Sequence, residues 1–267
     1  MNEKIINTIP ADKTDLYSAD NVLCTAIDIG ANILKNGGEI ARVEETIERI
    51  CTAFGAEHVE AFSITTMITA SVRMPDGSYS QQLRHVKTSS MNLYRVEQLN
   101  LISRRICKGE LGIEDAKRAT AEVKKKNPYP AVFSHLGVAI FVMGFTVFFD
   151  GSWFDALAAG VIGIIMSVLS SLDTPLNQGM MNIFFNSFLS GVLSILFVKI
   201  RFGTSLDAIL IGTIMFLIPG FALGISIKDM VTGNLLSGLM RFLQSLLAAV
   251  MIALGYAAAL LILGGVV

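Results

Sequence analysis

Charge density changes abruptly near residue 130, and this one feature limits the chain to folds that serve two solvents. Of its 21 Lys and Arg and 22 Asp and Glu, 34 fall between Met1 and Pro130, evenly split by sign, and only nine between Ala131 and Val267. A globular surface cannot be solvated with so few charges, whereas a lipid-facing one needs none. The chain therefore reads as an α-helical membrane protein with about five transmembrane helices, preceded by an α+β cytoplasmic domain. The expected divisions are an N-terminal tail at 1–19, a soluble domain at 20–127 and a transmembrane domain at 128–267.

Balanced charge in the first half forms no basic stripe and is not interleaved with aromatics, which argues against nucleic acid as a partner. Cys24, Cys51 and Cys107 lie on apolar helical patterns without CxxC or Cys/His spacing, so they read as reduced thiols of a reducing compartment. The first twenty residues contain acids and Pro10 but no apolar core segment, unlike a secretory signal.

Within the soluble half, Asp20 is expected to cap a first helix carrying Val22, Leu23, Ile27, Ile29 and Leu34, interrupted by Gly37 and Gly38. A second helix, Glu39 to Phe54, places Ile40, Val43, Ile47 and Ile50 on one face and Arg42, Glu45, Glu48 and Arg49 on the other. The period then becomes two. Residues 58–64, 67–74 and 79–86 read as strands around the Pro75-Asp76-Gly77 turn, with Thr65, Thr66 and Thr69 on the sheet surface. Helices return at 92–108 and 113–126.

Asn127-Pro128-Tyr129-Pro130 ends that domain, because two prolines cannot continue a hydrogen-bonded helix. Five apolar runs follow, expected to span at about 131–149, 156–172, 180–198, 206–225 and 240–263. Lys124, Lys125 and Lys126 precede the first, so the positive-inside rule places the soluble domain in the cytoplasm of a cell (plasma) membrane protein. Lys199 and Arg201 then fall outside, an exception that snorkelling of two helix-end charges accommodates.

Ionisable and amide groups in or beside apolar spans are costly, so each is a candidate for function. Asp173 and Asn177 lie between spans two and three. Asn182 and Asn186 are four residues apart on span three, hence on one face, with Ser187, Ser190 and Ser194 beyond them. The stripe either packs helices together by hydrogen bonds or lines a solute path. Pro219-Gly220 interrupts span four, either freeing backbone groups for a ligand or making a simple kink. Lys228, Asp229, Gly233, Asn234, Gly238 and Arg241 form a polar stretch before the last span, where Asp229 and Arg241 either pair or meet a charged solute.

Several familiar chemistries lack their residues. GxxxxGK[ST] and GxSxG do not occur, and His58, His85 and His135 are isolated from one another, so neither a metal nor a cofactor is expected. Glu39, Glu44 and Glu45 could serve a membrane-anchored hydrolase only by converging in one pocket. Glu44 and Glu45, being adjacent, face about 100° apart on a helix.

Certain words in the chain resemble the threonine/serine exporter (ThrE-like) family. They are Gly38-Glu39-Ile40-Ala41-Arg42-Val43-Glu44-Glu45-Thr46-Ile47 with Gly55, Arg84 and Val86 followed by Asn92-Leu93 and Ser103-Arg104, and the membrane series Gly151-Ser152-Trp153, Asp155, Pro219-Gly220, Asp229, Gly233, Gly238 and Arg241. The resemblance implies a secondary exporter, not an enzyme, for small polar solutes such as threonine, serine or dicarboxylates. It maps the recurring positions onto Glu39, Arg42, Glu44, Asp155, Pro219, Gly220, Asp229 and Arg241. Family members resemble either fused chains of about ten spans or paired subunits. With five spans this chain resembles the larger first component of the split form, so a smaller membrane subunit is the expected partner. A regulatory or scaffold role and homo-oligomerisation remain open.

Overall fold

In the computed structural model, which describes residues 18–86, 91–125, 129–172 and 179–263, the first helix, α1 (Ala19–Lys35), is opened by Ser18, whose hydroxyl accepts from the Asn21 N–H. Asp20, the expected cap, is engaged elsewhere. Its carboxylate accepts from Ser80 Oγ at 3.0 Å and Gln82 Nε2 at 2.8 Å, tying α1 to the third strand. A serine two residues upstream leaves the acid free to do this, and the two hydrogen bonds hold its pKa below the usual aspartate value.

Helix α2 (Ile40–Ala53) follows, then an antiparallel meander of β1 (His58–Ile64), β2 (Met67–Arg73) and β3 (Tyr79–His85), paired in that order. Thr65 and Thr66 make the β1–β2 turn, while Thr69 lies within β2. Helices α3 (Leu93–Cys107) and α4 (Ile113–Lys125) complete the run. Ile27, Ile33, Ile40, Ile47, Ile50, Ile68, Leu99 and Ile106 are fully or almost fully buried in one cluster. Each contributes about 1.5–3 kcal/mol through removal from water, so this core is enough to organise a domain of this size. Cys51 lies within the cluster, where burial pushes its thiol pKa up to about 12.

By contacts the chain divides into two units, Met1–Pro128 with Gly224–Arg241, and Tyr129–Leu223 with Phe242–Val267. The second contains α5 (Ala131–Phe148), α6 (Trp153–Ser171), α7 (Gly179–Lys199) and α8 (Leu206–Leu217). Its fully buried positions are mostly small or slender, such as Ala158, Ala159 and Ile162, while Phe133, Ile140, Phe148, Phe154 and Leu261 are exposed. Apolar residues outside and close small contacts inside are what a bilayer rewards.

Four helices, α5, α6, α7 and α10 (Leu235–Leu263), are long and apolar enough to cross a membrane; α8 and α9 (Gly220–Val231) pass together as a broken fifth, bent by 47°. The break falls at Ile218-Pro219, where the sequence places it: Ile218 turns to extended backbone and Pro219 has no N–H to donate. α10 runs 29 residues where about 20 suffice, so the stretch after Arg241 is by itself long enough to span.

Asp155 holds the end of this unit together. Fully buried, it closes a capping box with Ser152 at the start of α6. The same carboxylate also accepts from the N–H groups of Thr204 at 2.5 Å and Ser205 at 3.0 Å, and from Thr204 Oγ1 at 3.0 Å, just ahead of α8. One anion thus serves two helix N-termini, where the macrodipole favours negative charge. Deeper in the unit, Tyr256 on α10 donates to Ser190 Oγ on α7 at 2.9 Å and lies 3.1 Å from Thr213 Oγ1 on α8. Nearby, a Cβ on Gly255 would stand 2.7 Å from the Phe184 carbonyl, so only glycine admits this approach of α10 to α7.

Replacing Asp155 by Asn puts an amide donor among donors. Chemical denaturation in detergent should show a loss of at least about 3 kcal/mol, against about 0.3–1 kcal/mol for Asp207→Asn on the exposed first turn of α8. Equal losses would contradict the assigned role.

Candidate functional site

The turn between α1 and α2 is set by two glycines. Gly37 has φ +89°, and Gly38 donates its N–H to the Ile33 carbonyl at 2.9 Å. A Cβ on Gly38 would meet Ile33 Cγ2 at 2.4 Å and the Ile33 carbonyl oxygen at 2.9 Å, so no larger residue fits without moving backbone. Helix α2 therefore starts sharply, with Glu39 at its N-cap position but making no side-chain cap. Its first N–H groups need another acceptor.

A carboxylate from the far end of the chain stands close to them. Asp229, on α9 and 1% exposed, has its charged form favoured by the Ile40 N–H. Arg241, on α10, donates from Nη2 to the Gly38 carbonyl at 3.4 Å, and its Nε lies 3.8 Å from Asp229 Oδ2. Lys228 Nζ pairs with Glu39 Oε2 at 2.8 Å. A carboxylate at a helix N-terminus is favoured by the macrodipole, and here a guanidinium stands beside it. The pair is electrostatic, not a hydrogen-bonded fork, because 3.8 Å exceeds hydrogen-bond range. Asp229 Oδ2, although buried, has no hydrogen-bond partner among the described residues.

The α9–α10 hairpin that carries these charges is equally constrained. Gly233 turns at φ +97°, and the Asn234 N–H closes on the Asp229 carbonyl at 2.9 Å. A Cβ on Gly238 would come within 2.7 Å of the Ser226 carbonyl, so the two helices touch backbone to backbone. Ser226 and Ser237 are buried in the same hairpin.

Glu39, Asp229 and Arg241, spread over about 200 positions of sequence, thus meet in one cluster. Other expected site residues do not join it. Arg42 is exposed on α2. Glu44 accepts the Ser63 N–H at 2.7 Å, satisfying the free edge of β1, and burial raises its carboxyl pKa. Glu45 pairs with Arg49. The three glutamates offered for acid/base chemistry therefore have three separate partners.

Asn182 is half-buried and Asn186 buried; the Asn186 amide donates to both oxygens of Asn182, at 2.9 Å for the backbone carbonyl. Ser187 and Ser194 bond carbonyls four residues back, so much of that stripe is taken up in helix packing. Pro219 and Gly220 sit at the helix break, with open space around Gly220. Asp173 and Asn177 lie outside the described residues. Among the described residues no group of three His, Cys, Asp or Glu could hold a metal.

Lys228 was read only as part of the polar stretch before the last span, not as a candidate site residue, and the backbone of Gly38 and Ile40 and the side chain of Tyr256 were not singled out by sequence. Lys228 and Tyr256 carried a weak signal, a charge beside Asp229 and a phenol in an apolar run.

The family model described as "Putative threonine/serine exporter" (ThrE) matches residues 25–263. The chain belongs to this family. A curated ThrE relative from Mycobacterium tuberculosis (strain ATCC 25618 / H37Rv), named "Probable threonine/serine exporter", is 26% identical over 249 residues, covering 90% of this chain and 46% of the relative. The chain thus spans about half the length of the curated relative it matches. No solved structure matches it.

Removing Arg241 alone strands a buried carboxylate, while removing both charges does not. In a double-mutant cycle on purified protein, Arg241→Gln should cost about 3 kcal/mol and Asp229→Asn/Arg241→Gln distinctly less, with coupling above about 0.5 kcal/mol. Additive losses would show that the two charges do not interact.

Proposed function

We propose that this chain is a component of a secondary exporter of small polar metabolites, threonine- and serine-type amino acids or dicarboxylates. In this reading it sits in the plasma membrane with its first unit in the cytoplasm. Family membership supports the transport role, and the apolar helices supply the membrane context. Lys124 and Lys125 at the end of α4, just ahead of α5, favour the cytoplasmic side.

The observation that carries the proposal is the buried Asp229–Arg241 pair, its guanidinium 3.8 Å from the carboxylate and so not locked into a fork. A solute carboxylate can offer Arg241 the planar, bidentate partner that Asp229 does not. Such an exchange makes the pair a switch: the arginine holds Asp229 in the empty protein and the solute during export. In this reading a smaller membrane subunit, resembling the remaining half of the longer relative, would supply the other wall of the path.

In cells that express the chain with such a subunit and are loaded with labelled threonine, serine or succinate, Arg241→Ala should lower efflux by about tenfold or more. Asp229→Asn/Arg241→Gln should restore membrane abundance without restoring efflux. Unchanged efflux from Arg241→Ala would remove this residue from the path. Efflux of none of the three solutes by the unmodified protein would overturn the proposed solute classes.

A further inference from the structure

One face of α10 is left open among the described residues. Leu236, Leu239, Leu243, Leu246 and Val250 are between 45% and 59% exposed. Their spacing alternates three and four, and the alternation runs on through exposed Ala253 and Ala257 to Leu260. These positions keep the 3.5-residue repeat of a coiled-coil seam over about 36 Å of helix.

The packed side of the helix lies opposite. Ser237, Ser245, Ala248, Ile252 and Ala259 are buried there. Arg241, which alone among the residues of α10 carries a charge, has its side chain 13% exposed beside Asp229. At 100° per residue it stands about 160° around the helix from both Leu239 and Leu243.

Lipid accounts for only part of the open face. About 20 residues cross the hydrocarbon, and α10 supplies them after Arg241. Leu236 and Leu239 precede that stretch and belong to the first unit, which also holds the Lys228–Glu39 pair. Half-exposed leucines in a charged unit, continuing a stripe that runs on into the bilayer, call for a protein helix that crosses the membrane and projects beyond it as α10 does. The smaller subunit proposed above is not that helix, because a wall of the path has to face Arg241 and the stripe turns away from it. A second copy fits without adjustment. Two copies inserted in one orientation run their α10 helices parallel, each leucine at the depth of its counterpart. No charge on the seam repels its twin, and Ala253 and Ala257 let the backbones approach closely.

We propose that the protein associates with a second copy of itself as a parallel, two-fold dimer whose seam is the Leu236-to-Leu260 repeat of α10, with Arg241 of each copy facing away from it. Setting the smaller subunit aside rests on the proposed path at Arg241. The dimer itself does not depend on export, and no solute enters its test.

Single cysteines in the full chain, in a Cys24→Ser/Cys107→Ser background that keeps only buried Cys51, report the seam by oxidative cross-linking in membranes. Leu239→Cys and Leu246→Cys should each link two 28.8 kDa chains. Gln244→Cys, exposed on the same helix about 100° from Leu243, and Ile140→Cys, exposed on α5, should not. Leu236→Glu/Leu239→Glu changes two exposed positions ahead of the span and so spares the fold, while setting like charges against each other. Energy transfer between labelled copies in liposomes should then need at least about tenfold more protein per lipid. The proposal is overturned by cross-linking at none of the four positions, by equal cross-linking at all of them, or by association that the double variant leaves unchanged. It is also overturned if the Leu239→Cys and Leu246→Cys links pass to a co-expressed second membrane subunit, which assigns the stripe to that partner. A monomeric chain whose Leu239→Cys thiol is shielded from a water-soluble maleimide would overturn it too, by assigning the stripe to lipid.

Discussion

A buried carboxylate must be compensated or it does not stay charged, and Asp229 is compensated from three directions. The first N–H of α2 favours its charge, Arg241 stands beside it, and the neighbouring Lys228 pairs with Glu39. Each of these depends on other features. The N–H is available because Gly37 and Gly38 start α2 abruptly and because Glu39 does not cap its own helix. Arg241 is in reach because Gly233 and Gly238 let α9 and α10 fold back on each other at backbone contact. The early motif and the late polar stretch thus form one electrostatic unit. α10 continues from Arg241 without a break into a stretch long enough to cross a bilayer.

The second unit solves a different problem, keeping polar groups in an apolar medium without leaving them unbonded. Asp155 accepts from backbone and hydroxyl donors around two helix starts, and Tyr256 joins α7, α8 and α10 through Ser190 and Thr213. Serines of α7 turn back on their own helix. A polar stripe of this kind tightens packing first, and whatever part of it faces a solute must do so with the capacity left over.

Periodicity made the architecture legible. Apolar spacing of about 3.6 marked α1 and α2, alternation marked β1 to β3, and loss of charge after Pro130 marked the membrane helices. Pro219 announced the break between α8 and α9 because proline cannot donate within a helix. The meeting of Gly38, Glu39 and Ile40 with Lys228, Asp229 and Arg241 was not legible, since no local pattern relates residues about 200 positions apart. Asp229 and Arg241 stood out as charges beside an apolar run and as positions in the family resemblance, not as partners of the early motif. Asp20 was misread for a related reason: both it and Ser18 can cap, and the choice rests on Ser80 and Gln82 some sixty residues away. Arg42 and Glu44, two residues of the same early motif, looked alike in sequence, yet one faces solvent and the other closes a sheet edge.

The central claim is that Arg241 serves a solute path which this chain builds together with a second membrane subunit. Reconstitution in liposomes tests it most directly, by following loss of labelled threonine, serine and succinate with and without that subunit. The account predicts efflux of at least one solute only when both are present, and none when the chain carries Asp229→Asn/Arg241→Gln. Equal efflux from that variant, or full efflux from this chain alone, would contradict it.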